Sequence, residues 1–258
     1  MKKAYIILGI LLLTTIHLSA SDFSFRKYSH VKNFYSSISS DVLEIAKTYK
    51  LPPAAILAIA GLESGYGSGY VSKITGNILS LGAFKDDYEL PRVYLPYSKS
   101  KKCVLVSSQE INQCSVDDLI WKKRPKSLKR DYRPLPFAGT SEHLDLLLHD
   151  TAKRNKAQRA CLNDFATRWI VQSSKVQAFR DARVWLDELI AKKGIDILFN
   201  MNVNIAFINR IGGIAHSFNY RKTWPEKVTL IMKKTGLVEL THDIYFNNMS
   251  FNTAWRNI

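Results

Sequence analysis

Residues 51–69 constrain the fold more than any other stretch. Leu51-Pro52-Pro53 stops one helix and opens the next, and Gly65, Gly67 and Gly69 stop that second helix. Proline has a fixed φ and no N–H, so it suits a first helical turn and breaks a helix interior. The helix so bounded runs from about Pro53 to Glu63 or Ser64. It is rich in Ala, Ile and Leu and carries one carboxylate, Glu63. Residues three, four and seven back, Ala60, Ile59 and Ile56, share the face of Glu63. The carboxylate therefore falls on the apolar stripe, at the C-terminal end of its helix. Apolar surroundings deprive a carboxylate of solvation, and the negative end of the helix dipole repels it. Both raise its pKa, as a general acid protonating a glycosidic oxygen requires at neutral pH. The plainer reading is a glutamate that turns to solvent or caps a loop.

The N-terminus has the layout of an export signal. Lys2 and Lys3 precede an apolar run from Ala4 to Ile16, and Leu18-Ser19-Ala20 offers small residues for cleavage. About 13 apolar residues fall short of the roughly 20 that a spanning helix needs. Residues 1–20 are thus expected to be a signal peptide, and the mature chain is expected in the periplasm or secreted, without a stable membrane span. Formal net charge is +15 and becomes +13 once Lys2 and Lys3 are gone. A basic exported protein is drawn to polyanions. In that compartment cell-wall peptides with free carboxylates fit better than nucleic acid, which is not expected as a partner. A solvated basic surface is the competing reading. Cys103 and Cys114 flank a short segment that suggests a hairpin closed by a disulfide, which export permits. Cys161 is then left over. No cluster of His and Cys has ligand spacing, so neither a metal nor another cofactor is expected.

Residues 21–40 read as a leader without clear period. A helix is expected from Ser39-Ser40-Asp41 onward, on the stripe Val42, Ile45, Ala46 and Tyr49. Residues 70–137 read as loops and short strands, with Val104-Leu105-Val106 the best strand. Helical patterns return after Thr140-Ser141-Glu142, then over 163–172, 176–191 and 200–211. Trp224-Pro225-Glu226 opens a last strong helix that ends at Gly236. The tail, 241–258, has no clear pattern.

Leu62-Glu63-Ser64-Gly65-Tyr66-Gly67, after an Ala-rich apolar helix, resembles the signature of the bacterial glucosaminidases of glycoside hydrolase family 73, within the wider lysozyme-like group. Thr75-Gly76-Asn77-Ile78-Leu79 looks like that family's Asn-rich segment. Gly212-Gly213-Ile214-Ala215 and Trp224-Pro225-Glu226-Lys227-Val228 look like its closing turn and last helix. Ile214 stands where the family has a tyrosine, and no aromatic follows near Leu79. The resemblance brackets residues 41–240. It implies a mainly α (α+β), lysozyme-like two-lobed domain with a small β lobe or loop-rich insertion. It implies hydrolysis of the β-1,4 bond between N-acetylglucosamine and N-acetylmuramic acid in peptidoglycan glycan strands, with Glu63 as the acid. Family members often carry a second acidic residue in the β lobe. Asp86, Asp87, Glu89, Glu110 and Asp131 lie in that region, with Glu89 and Asp131 ranked first. A pair about 5–5.5 Å apart favours a retaining route, and roughly 6.5–9.5 Å leaves room for an inverting water.

Tyr66, Tyr70, Phe84, Tyr88, Tyr94 and Tyr97 follow the acid, and flat aromatic faces pack against sugar rings. Tyr66 and Tyr70, on the Gly-rich turn, are the preferred cleft residues, with Asn77 as a further substrate contact. Core packing is the competing reading for each ring. The basic run from Lys122 to Arg133 is either a site for stem-peptide carboxylates or a solvated loop. Trp224 reads as packing or capping its helix rather than binding sugar. Two alternatives stand beside the hydrolase: a lytic transglycosylase on the same scaffold, and a non-catalytic peptidoglycan-binding envelope protein. The sequence does not indicate protein partners.

Overall fold

A computed structural model describes residues 23–82, 94–105, 107–123 and 149–257. Among the described residues the chain is mainly helical with one small antiparallel sheet. In order, the elements are α1 (Ser29–Tyr49), α2 (Pro53–Ser64), α3 (Tyr70–Thr75), β1 (Tyr94–Ser98), β2 (Cys103–Val104), α4 (Ser108–Gln113), β3 (Leu119–Lys123), α5 (Thr151–Asp164), α6 (Gln177–Lys193), α7 (Met201–Ile211), α8 (Trp224–Thr235), α9 (Leu237–Phe246) and α10 (Phe251–Arg256). A short 3-10 turn, Ser24–Lys27, precedes α1, and a π turn, Phe165–Trp169, continues α5. Among the described residues no helix is long and apolar enough to cross a membrane.

The centre is α2. Every residue from Ala54 to Ala60 is buried, so the helix is apolar all round and α1, α7, α8 and α9 pack about it. The stripe read from the sequence was too narrow. Burying Ile56, Leu57 and Ile59 contributes roughly 2 kcal/mol each. A buried helix must still satisfy its end groups. Pro53 has no N–H to satisfy, and the Ala55 N–H donates to Oδ1 of Asn204, 2.8 Å away on α7. The Asn204 amide nitrogen donates in turn to the carbonyls of Leu198 and Asn200. At the other end Gly65 adopts the left-handed conformation, φ 56°, and its N–H returns to the carbonyls of Gly61 and Leu62.

The α1 helix begins at Ser29, ten residues before the expected start. Val31, Phe34, Tyr35, Ile38, Val42 and Ile45 form one buried stripe through the supposed leader. The serines that obscured it sit inside the helix, where Ser37 and Ser39 hydroxyls donate to the carbonyls of Phe34 and Tyr35. The tail is likewise part of the core: Thr241, Ala254 and Trp255 are buried. Of the other expected helices, 176–191, 200–211 and the one from Trp224 appear with shifts of one or two residues. The stretch 163–172 instead ends α5 and forms the π turn. The helix expected after Thr140-Ser141-Glu142 lies outside the described residues, as does the expected signal peptide.

The sheet has order β2-β1-β3, with Ser98 opposite Cys103 and Pro96 opposite Trp121. Leu95 packs with Ile74, Tyr70 and Val71 of α3 as a small second core. The expected Cys103–Cys114 disulfide is not formed. Residues 108–113 between them form α4, capped by Ser107 and Glu110, rather than a hairpin. Both thiols are free, and that of Cys114 donates to Asp118. Cys161 is buried and free, its thiol pushed up to about 12 by that burial.

The first described segment and the C-terminal helices meet at Arg26. Its guanidinium donates to the carbonyls of Thr235, Gly236, Ala254 and Trp255 at 2.8–3.0 Å, closing the C-terminal ends of α8 and α10. Burial lowers its pKa, and Glu239 and Asp243 oppose that. Arg26→Met leaves those buried carbonyls without donors and is expected to cost about 3 kcal/mol, read from urea unfolding. A loss within about 0.5 kcal/mol, the range of ordinary surface substitutions, would contradict this role.

Candidate active site

The end of α2 is built by close packing at Gly61 and Gly67, the latter against the Phe34 ring. At Gly61 a side chain would begin 2.4 Å from the Tyr35 hydroxyl and 3.1 Å from the Tyr66 ring. Its absence lets the chain fold back so that the Tyr66 N–H reaches the Gly61 carbonyl at 2.9 Å. Tyr66 itself takes a left-handed φ of 53°. Such a backbone is costly outside glycine and persists only where the surroundings hold it. Here Ser64 does part of the holding: its hydroxyl donates to the Ala60 carbonyl and accepts from the Gly67 N–H.

Glu63 projects from this end, half-buried. Its Oε1 accepts a hydrogen bond from the indole Nε1 of Trp224, the first residue of α8, at 2.7 Å. Burial raises the Glu63 pKa; the indole hydrogen bond and the positive charge of Arg221 pull it back, with burial the larger. Among the described residues Glu63 has no ion pair. A carboxyl raised above its ordinary value beside a fixed donor stays protonated to higher pH than an exposed glutamate, the direction a general acid needs.

Trp224 is 3% exposed, and its seat explains the second run of glycines. A side chain on Gly212 would begin 2.2 Å from the indole Cε3, and one on Gly213 would meet Pro225 at 2.9 Å. Gly213 also needs its φ of 82° for the turn closed by its N–H to the Asn219 carbonyl. Phe218, from the same loop, packs its ring 5.2 Å from the indole. The loop between α7 and α8 thus seats the indole and carries Arg221. The sequence reading placed Trp224 in packing and missed its contact with Glu63. The signal was present as two adjacent glycines ahead of a Trp-Pro helix start, without indicating which ring the glycines admit.

The other expected site residues fare differently. The Tyr66 ring packs edge-on against His30, Phe34 and Tyr35, and burial pushes its hydroxyl up to about 12. It is a strut between α1 and the turn rather than an open platform. Asn77 is buried and spent internally. Its amide donates to the Leu81 carbonyl, and its oxygen accepts from the Leu81 N–H and the Cys161 thiol. It shapes the loop after α3. Tyr70 opens α3, with its ring 5.5 Å from the half-exposed Trp121 of β3. Glu89 and Asp131 lie outside the described residues, with Asp86, Asp87, Phe84 and Tyr88. Glu110 is occupied as an N-terminal cap of α4. Most of the basic run from Lys122 to Arg133 is also outside; Lys122 itself sits over the Tyr97 ring. A surface groove of about 480 Å³ between α1 and the C-terminal helices, lined by Ser40, Lys47, Tyr245 and Phe251, does not include Glu63.

Compared with protein-family models, curated proteins and solved structures, the chain finds no match in any of the three.

The raised pKa has a consequence for stability. Folded Glu63 binds its proton more tightly than unfolded Glu63 does. Between the two pKa values the native state holds the extra proton, so stability falls as pH rises through that window. The destabilisation is fully present above it and absent below the ordinary carboxylate range. Glu63→Gln keeps an acceptor for the indole without the charge. It is expected to be at least as stable as the parent at neutral pH and to lose any advantage in acid, measured by urea unfolding at both. A variant clearly less stable at neutral pH contradicts the raised pKa.

Proposed function

We propose that this chain is an exported peptidoglycan hydrolase that cuts the β-1,4 bond between N-acetylglucosamine and N-acetylmuramic acid. In this reading Glu63 is the general acid. The observation that carries it is a half-buried carboxyl at the end of an apolar helix, held by an indole N–H and raised in pKa by burial. The resemblance of Glu63-Ser64-Gly65-Tyr66-Gly67 and of the Gly212-Gly213 to Trp224-Pro225 segment to the glucosaminidases supports the same assignment. The helical body with its small sheet is compatible with a lysozyme-like two-lobed domain. The basic charge favours a wall polymer bearing carboxylates.

The chemistry needs one proton and one water. Protonated Glu63 gives its hydrogen to the glycosidic oxygen as the bond to the anomeric carbon breaks. Water then supplies the hydroxyl at that carbon and the proton that restores Glu63. A carboxylate from the segments holding Glu89 and Asp131, or the substrate's own N-acetyl group, assists the second half. Tyr70 and Trp121 offer ring faces for a glycan, and Tyr66 and Asn77 support the turn and loop around the site.

Purified protein is expected to release muropeptides with reducing N-acetylglucosamine ends from sacculi, read by mass spectrometry. Loss of a general acid typically costs 10²–10⁴-fold, so Glu63→Gln is expected to fall by about that factor. Anhydro-muramyl ends would replace the hydrolase by a lytic transglycosylase. A Gln variant as active as the parent would remove Glu63 from the chemistry.

A further inference from the structure

We infer that Trp224 is a positioning residue that decides which oxygen of Glu63 carries the transferable proton. The inference rests on the reading of Glu63 as the acid. The indole nitrogen is a donor only. At 2.7 Å it places a hydrogen on the line to Oε1. A proton on Oε1 aimed at that line would set two hydrogens against each other, so the acid proton resides on Oε2. Oε1 then stays an acceptor in both states of the carboxyl.

The indole cannot easily turn away. It is almost sealed from solvent, Gly212 lies under it with no room for a Cβ, and Phe218 packs against it. Its position at the first residue of α8 is fixed by Pro225 and by the Trp224 N–H to the Arg221 carbonyl. When Oε2–H breaks, the hydrogen passes to the glycosidic oxygen, which also takes the electron pair of the broken C–O bond. The carboxylate left behind keeps the indole hydrogen bond, now charge-assisted and stronger. One contact therefore orients the acid and stabilises its conjugate base. Water returns the proton to Oε2.

The test follows the five tryptophan indole N–H signals of the whole protein, ¹⁵N-labelled on tryptophan, across pH. The signal absent from Trp224→Phe is expected to move with a midpoint above the ordinary glutamate value of 4.5. In Glu63→Gln the same signal is expected to stop moving. Gly212→Ala, whose backbone is extended and tolerates alanine, displaces the ring and is expected to flatten the titration as well. On sacculi, Trp224→Phe is expected to lose roughly tenfold in rate, of the order of one charge-assisted hydrogen bond. The basic limb of its pH profile is expected to move upward, because a donor favouring the carboxylate is gone. A signal indifferent to pH, or one that still titrates in Glu63→Gln, overturns the inference even if the protein hydrolyses peptidoglycan. A titrating signal in a protein without activity keeps the coupling and removes the hydrolase reading.

Discussion

A helix sealed from water along seven residues, Ala54 to Ala60, can exist only if its ends are finished by other parts of the protein. Asn204 does this at the start of α2, and the left-handed turn from Gly65 to Gly67 does it at the finish. The finish is where burial gives way to partial exposure, and Glu63 stands there. Its half-buried state is a direct result of the helix being central. If α2 lay on the surface, its last carboxylate would face water and titrate in the usual range.

Two opposed effects meet at that carboxyl. Desolvation favours the neutral acid, while the Trp224 hydrogen bond and the Arg221 charge favour the anion. Burial is the larger, so the group stays protonated further up the pH scale than an exposed glutamate. The smaller effects are useful too. An acid stabilised only as the acid would not release its proton, and the fixed indole gives the anion a partner. The loop from Gly212 to Thr223 thus tunes a residue some 160 positions earlier, through the contact of Trp224 with Glu63.

Much of this was legible in the sequence because punctuation residues have few alternative uses. Pro53 and Gly65 bounded α2, and Gly236 bounded α8. The carboxylate at the end of an apolar run followed from helical spacing alone. The early start of α1 was hidden because serines favour turns in isolation, whereas here their hydroxyls bond back along the helix and the apolar period continues beneath them. The structural roles of Asn77 and Tyr66 were not legible, because neighbouring motif residues looked alike as binding groups. Only the fold reveals that the Asn77 amide is consumed by Leu81, and that the Tyr66 ring is wedged against α1. The pairing of Trp224 with Glu63 joins positions far apart in sequence, and no local pattern encodes it. The disulfide expectation failed because spacing says nothing about the helix α4 that lies between the two thiols.

Burial raises the pKa of the Glu63 carboxyl above its ordinary value. The most direct measurement is the titration of its own side-chain carboxyl carbon by ¹³C NMR, assigned by its disappearance in Glu63→Gln. The account requires a midpoint above the ordinary glutamate value of 4.5. A midpoint at or below that value would contradict it.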